Sequence, residues 1–149
     1  MSDYMTGPKW DRLLPEMKHK VLQLLAQAKA AGLNVMFYDG WRSPAQEKQY
    51  ESKGTSALHD PYNNYHTWGA AADIVFSTPT GQPYWPKETD PRWHQLGTIG
   101  KRLGLFWGGD WPHLQDMAHF QLKNVSVHDL RRTYGTDFLA WLRDNGAIA

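Results

Sequence analysis

The 149-residue sequence contains no cysteine. Disulfides, thiolate-held metals and a thiol nucleophile are excluded together, so any metal must be held by histidines and carboxylates. An excess of charge of one sign is lacking too. The 16 basic and 15 acidic residues are interspersed for a net charge of +1, and no basic stripe offers a footprint for nucleic acid. No apolar run approaches the roughly 20 residues that cross a bilayer, so no membrane insertion is expected. Residues 1–11 are polar and carry no apolar stretch after positive charge, so no secretory leader is expected either. No phosphate-cradling glycine pattern and no G-x-S-x-G nucleophile context occurs.

What is present describes an ordinary globular chain, with 41% hydrophobic and 21% charged residues. Its length suits one domain, residues 1–149, with a sizeable core. Eight Trp and seven Tyr are many for this length. Core and rim packing accounts for most of them, and a few could offer flat faces to a ligand in a groove.

Periodicity predicts an α+β domain: a small antiparallel sheet carrying the functional site, with helices packed outside. Leu14, Met17, Val21, Leu24, Leu25 and Ala28 recur at helical spacing, so a first helix is expected over about 13–30, stopped at Gly32. Residues 34–38 read as a strand. Ser43-Pro44-Ala45-Gln46 has the form of a capping box, and predicts a helix to about Ser52 with Gly54 beyond it. Residues 71–76 and 119–122 read as strands, and 78–85 as a turn or hairpin. Asp90-Pro91 opens a further helix ending near Gly104, and residues 106–115 read as a Gly- and Trp-rich loop. Ser126 with Asp129 starts a C-terminal helical region, broken at Gly135 and ended at Gly146.

The chemistry concentrates in Asn64-Tyr65-His66-Thr67-Trp68-Gly69-Ala70-Ala71-Ala72-Asp73. In a strand His66 and Asp73 would lie roughly 23 Å apart, and in a helix about 10 Å apart along the axis. To share an ion, each must come within about 2.0–2.2 Å of it. The chain would then have to double back between them, and Gly69, which tolerates positive φ, is where it can. Asp73 sits in an apolar strand and needs a partner, which could be a metal, an ion pair or a capped loop. His119 and Gln121 share one face of their strand. His119 could be a ligand or a hydrogen-bonded structural residue, with Asp116 three residues earlier placed to stand beside a metal. Three protein ligands leave a fourth position for water, which is the pattern of catalytic zinc.

Four ordered motifs resemble a known family. His66-x-x-Gly69-x-Ala71-x-Asp73 and Asp116-x-x-His119-Phe120 resemble the signature of the LAS-type (M15) zinc peptidases of bacterial cell walls. Asp39-Gly40-Trp41-Arg42-Ser43-Pro44 resembles the segment carrying that family's active-site arginine. Phe106-Trp107-Gly108-Gly109-Asp110-Trp111 resembles a loop of its L-alanyl-D-glutamate endopeptidase branch, which includes phage endolysins. The resemblance runs from about Leu13 to Trp141. It implies one zinc ion held by His66, Asp73 and His119, with Asp116 as general base and acid. It also implies that Arg42 stabilises an oxyanion or holds substrate.

The implied activity is hydrolysis of a peptidoglycan stem-peptide amide, most simply L-alanyl–D-glutamate, by a monomer. A D-Ala–D-Ala carboxypeptidase of the same family and a non-catalytic wall-binding module are the alternatives. An endolysin made in the host cytoplasm and released to the wall fits the expected lack of a leader.

Three departures stand out. Asn64 replaces a common Ser and is expected to donate a supporting hydrogen bond, the base is Asp where many relatives have Glu, and the loop from Gly54 to Asn64 is short. His113 and Asp110 are expected at the rim, and His19, His59, His94 and His128 at the surface or packed on helices.

Overall fold

The computed structural model describes residues 3–52 and 60–149. The expectations for Gly54, for His59 and for the length of the 54–64 loop lie outside the described residues. Two short elements that polarity had hidden come first, a 3-10 turn over Asp3–Met5 and helix α1, Pro8–Asp11. Helix α2, Pro15–Ala30, begins two residues later than its apolar periodicity suggests. Leu14 precedes a proline, which disfavours helical backbone, and it is extended at φ −56°, ψ 144°.

Strand β1 is Val35–Asp39, and helix α3 is Pro44–Ser52. The capping box at α3 closes as its sequence implies. Gln46 N–H donates to Ser43 Oγ at 3.1 Å, and Ser43 N–H donates to Gln46 Oε1 at 3.2 Å. Strand β2, Ala71–Ser77, turns into the two-residue strand β3, Pro83–Tyr84. Helix α4, Pro91–Arg102, is capped by Asp90, whose side chain accepts from Arg92 N–H.

Strand β4, Leu105–Trp107, lies where a loop was expected from the glycines and tryptophans. Only its first three residues are extended, because Gly108–Asp110 then coil into a 3-10 turn. Strand β5 is His119–Leu122. Helices α5, Val127–Tyr134, and α6, Phe138–Asp144, close the chain, capped by Ser126 and Asp137.

The sheet is antiparallel, in the order β1-β2-β5-β4, with β3 paired to β2. Its two faces differ in chemistry. In register, Phe37 faces Ile74, Ala72 faces Phe120 and Phe120 faces Trp107. This apolar row packs under α2 and α4, where Met17, Val21, Leu24, Trp93 and Leu96 are buried. The alternate residues, Asp39, Asp73, His119 and Gln121, share the other face.

Helix α4 approaches the sheet closely because two of its buried positions are glycines. A Cβ on Gly97 would stand 2.4 Å from the Trp107 ring, and one on Gly100 would stand 2.3 Å from Phe120. Both rings are fully buried and have no free space to retreat into. Gly100→Ala should therefore destabilise the fold by about 1–3 kcal/mol despite alanine's better helix propensity. Urea denaturation measures this, and an unchanged or raised midpoint would contradict the packing described.

Candidate metal centre

Three adjacent strands place their polar residues in one row. Asp73 on β2 pairs directly with His119 on β5 and with Asp39 on β1. The pairing with Asp39 requires an irregularity. The register shifts between Phe37 and Asp39, so that Asp39 rather than Tyr38 stands opposite Asp73. Such bulges re-aim side chains beside functional sites.

His66 reaches the same face from the loop before β2. Gly69 adopts φ +68°, and Ala70 N–H returns to Tyr65 O at 3.0 Å, so the chain doubles back between His66 and Asp73. A Cβ on Gly69 would also meet Arg12 O at 2.6 Å. Asn64 steadies the turn, with its Oδ1 accepting from His66 N–H at 2.9 Å. The sequence expectation had Asn64 as donor. The side chain accepts instead, because the group in need of a partner is a backbone N–H.

The three residues converge. His66 Nε2 lies 3.5 Å from Asp73 Oδ1, and His119 Nδ1 lies 3.7 Å from the same oxygen. One ligand atom from each of His66, Asp73 and His119 falls within 4.8 Å of the others, and all three residues are buried. Ligands of a tetrahedral ion at about 2.1 Å stand roughly 3.4 Å from one another, close to what is found here.

Asp73 Oδ1 is buried without a hydrogen-bond partner, while its Oδ2 accepts from Arg42. A carboxylate oxygen left bare between two imidazole nitrogens is a costly arrangement that a cation relieves. The residues present therefore fit a divalent metal.

Each imidazole is oriented from behind. His66 Nδ1 donates to Gly40 O at 2.7 Å, which leaves Nε2 facing Asp73. His119 Nε2 meets Gln121 Oε1 at 2.7 Å, which leaves Nδ1 facing Asp73. Gly40 is itself fixed, because a Cβ there would stand 2.3 Å from Lys9 O.

Arg42 binds three carboxylates. Its Nε donates to Asp39 Oδ2 at 2.8 Å, Nη1 to Glu47 Oε2 at 3.2 Å and Nη2 to Asp73 Oδ2 at 2.7 Å. Asp39 also accepts from Gly40 N–H and pairs with Lys9 Nζ at 3.1 Å. Counted formally, Asp39, Glu47 and Asp73 carry −3 and Arg42 and Lys9 carry +2, so the cluster is left one negative charge in excess. Burial opposes charge on Arg42, but Asp73 and Asp39 outweigh it and hold the guanidinium above its ordinary value. Burial would push Asp73 up, yet His66 and Arg42 hold its carboxyl well below the usual range. On His119, burial works against the protonated ring. The Asp73 carboxylate prevails and raises it.

Asp116 lies at the mouth of this cluster, exposed. The backbone holds it in place. Its N–H donates to Gly108 O at 3.1 Å, and His119 N–H donates to Asp116 O at 3.2 Å. Gly108 has no room for a side chain, since a Cβ would stand 2.5 Å from Asp116 O. Partial desolvation and the charge of Asp73 push the Asp116 carboxyl up. Trp111 lies beside His119, its ring centroid 5.0 Å away.

The structure thus brings together His66, Asp73, His119, Arg42 and Asp116, all singled out from sequence. His113 and Asp110 are exposed, and Asp110 pairs with Lys101 at 3.0 Å. His19 on α2, His94 and His128 are all exposed. Asp39, Glu47, Gly40 and Gln121 were missed as supports. The motif segment around Arg42 contained two of them, and Gln121 shared the face of His119, but their pairing depends on tertiary placement.

Comparison with known proteins fits this geometry. A family model described as D-alanyl-D-alanine carboxypeptidase, of the M15 peptidases, matches residues 59–122. The peptidoglycan L-alanyl-D-glutamate endopeptidase CwlK of Bacillus subtilis is 27% identical over 74% of this chain and 73% of its own. The L-alanyl-D-glutamate peptidase of Listeria phage A118 is 27% identical over 85% of this chain and 41% of its own. Among solved structures, the L-Ala D-Glu endopeptidase ChiX of Serratia marcescens matches with a TM-score of 0.60 at 23% identity, covering 82% of this chain and 84% of that one. A vancomycin-resistance D,D-pentapeptidase, VanY, in complex with Zn(II) matches with a TM-score of 0.54 at 15% identity, over 87% of this chain and 83% of that one. The fold is shared with these two solved peptidases. In sequence and in fold alike, the chain resembles the M15 family.

Proposed function

We propose that this chain is a zinc-dependent endopeptidase that hydrolyses the L-alanyl–D-glutamyl bond of peptidoglycan stem peptides. The observation that carries the reading is the bare, buried Oδ1 of Asp73 between His66 Nε2 and His119 Nδ1. Both curated relatives named above act on the L-alanyl–D-glutamate bond.

His66, Asp73 and His119 would hold the ion, and two imidazoles with one carboxylate suit zinc. Bound there, zinc supplies Lewis acidity toward a carbonyl and makes water acidic enough to be a nucleophile near neutral pH. The chain's own residues manage the protons and the charge. Asp116 accepts a proton from the attacking water and passes it to the departing amine, so that the amide C–N bond breaks as a C–O bond forms. Its raised carboxyl pKa brings it closer to the operating range of such a base. Arg42 uses three of its five N–H groups on Asp39, Glu47 and Asp73, and keeps one on each terminal nitrogen for an oxygen of the substrate.

Peptidoglycan would be met outside the cytoplasm by a protein carrying no helix long and apolar enough to cross a membrane among the described residues. We read it as acting on the wall after release, in the manner of an endolysin.

Mass spectrometry of muropeptides digested by the zinc-loaded protein tests the bond. Products cut between L-Ala and D-Glu are expected. A D-Ala–D-Ala carboxypeptidase is the second reading, because the matching family model carries that description. Release of free D-Ala with the L-Ala–D-Glu bond intact would replace the first reading by the second. Binding to walls without any new amino termini would mark a non-catalytic module and remove both.

A further inference from the structure

Gln121 is a residue to which the reaction gives no direct part. It lies on β5 two residues beyond His119, on the same face of the sheet. Its cross-strand neighbours are Ala71 on β2 and Phe106 on β4. Neither neighbour's side chain carries a polar group, so the strand pairs beside Gln121 offer its amide no competing partner. Its Oε1 lies 2.7 Å from His119 Nε2, a short contact for a neutral amide and a ring nitrogen.

The chemistry of this contact is directional. A carbonyl oxygen only accepts, so Nε2 carries the hydrogen, and in the neutral ring the lone pair is then on Nδ1. Nδ1 is the nitrogen that lies 3.7 Å from the bare Asp73 oxygen. His66 is arranged the opposite way, with Nδ1 on the Gly40 carbonyl and Nε2 toward Asp73. A backbone carbonyl fixes His66, whereas a single replaceable side chain fixes His119.

We infer that Gln121 is a positioning residue, whose side-chain oxygen holds His119 in the tautomer and ring orientation that present Nδ1 to a divalent cation. The inference rests on the ligand set proposed above. It predicts that the length and acceptor character of residue 121 matter, rather than its polarity as such. Met fills a similar volume but offers no comparable acceptor, while Glu keeps an oxygen at the same reach.

The experiment uses the full chain in three forms: wild type, Gln121→Met and Gln121→Glu. Zinc affinity is measured by competition with a chromophoric chelator, and the imidazole nitrogens are followed by long-range 15N–1H spectra. Gln121→Met should weaken zinc binding about 10- to 100-fold, the usual cost of losing a partner behind a metal-bound histidine. Its His119 resonances should no longer show a single Nε2–H tautomer. Gln121→Glu should bind zinc within a few-fold of wild type, with Nε2 still protonated.

Thermal unfolding of the metal-free forms separates positioning from folding. A Gln121→Met protein that melts like wild type yet binds zinc weakly supports the inference. Wild-type affinity with an unchanged His119 spectrum in Gln121→Met would overturn it, as would equal losses in Met and Glu variants. If His66→Ala still bound zinc as tightly as wild type, the proposed ligand set would fall instead, which keeps the two failures apart.

Discussion

Asp116→Asn should lower turnover of the stem peptide by about 10²–10⁴-fold while leaving zinc bound with near wild-type affinity. Asn keeps the shape and hydrogen-bonding reach of Asp but cannot take a proton from water. The effect should therefore fall on kcat, with KM little changed, because the group acts on protons in flight and not on bound substrate. Structural damage is not expected, since Asp116 is exposed and is positioned by its own backbone through Gly108 and His119. Metal content and kinetics on the same sample decide the matter. An Asp116→Asn protein that loses its zinc would make Asp116 a ligand, and one that turns over normally would remove it from the chemistry.

Asp73→Ala should be the most damaging change to the metal centre. Structural zinc sites bind with about 10–16 kcal/mol at neutral pH. One ligand in three then accounts for roughly 3–5 kcal/mol, or on the order of 10²–10⁴-fold in affinity. The change should also strip a partner from the buried guanidinium of Arg42, so the metal-free protein should lose stability as well. That pairing of effects is diagnostic. If Asp73 served only as an ion-pair partner, unfolding would shift while zinc affinity stayed constant. His66→Ala, which removes a ligand and leaves Arg42 with its carboxylates, should reduce affinity without the second effect.

Much of this centre was legible in the residues, and the reasons are physical. The impossibility of reaching one ion from His66 and Asp73 in regular structure required a reversal, and Gly69 supplies it at φ +68°. Period-two alternation put Asp73 and Ala72 on opposite faces of β2, as the register shows. The capping boxes and Asp-Pro starts located α3, α4 and α5 because those signals are local.

What escaped was set by distant contacts. Strand β4 was hidden in a glycine- and tryptophan-rich stretch, where Trp107 is held by packing on Gly97 and by its indole N–H donating to Met117 O at 2.8 Å. The burial of Asp39 and Glu47 around Arg42 joins residues from β1, β2 and α3, and no spacing along the chain announces it. The short helix α1 falls within the polar residues 1–11, where no periodicity announces it. Yet Lys9 O accepts from Trp41 N–H, and Leu14 N–H donates to Gly69 O, so this segment braces both bends that frame His66.

The strand order has a consequence for how the molecule comes into being. The last strand in the chain, β5, is the one that joins β2 to β4. Until residues 119–122 have left the ribosome, β2 and β4 share no neighbour, and His119 is not yet there to meet Asp73. Completion of the sheet and convergence of His66, Asp73 and His119 are thus one late event, reached through long-range pairing that is slow to form. A nascent or truncated chain lacking those residues would expose an open strand edge prone to aggregation, and would lack one of the three proposed metal ligands.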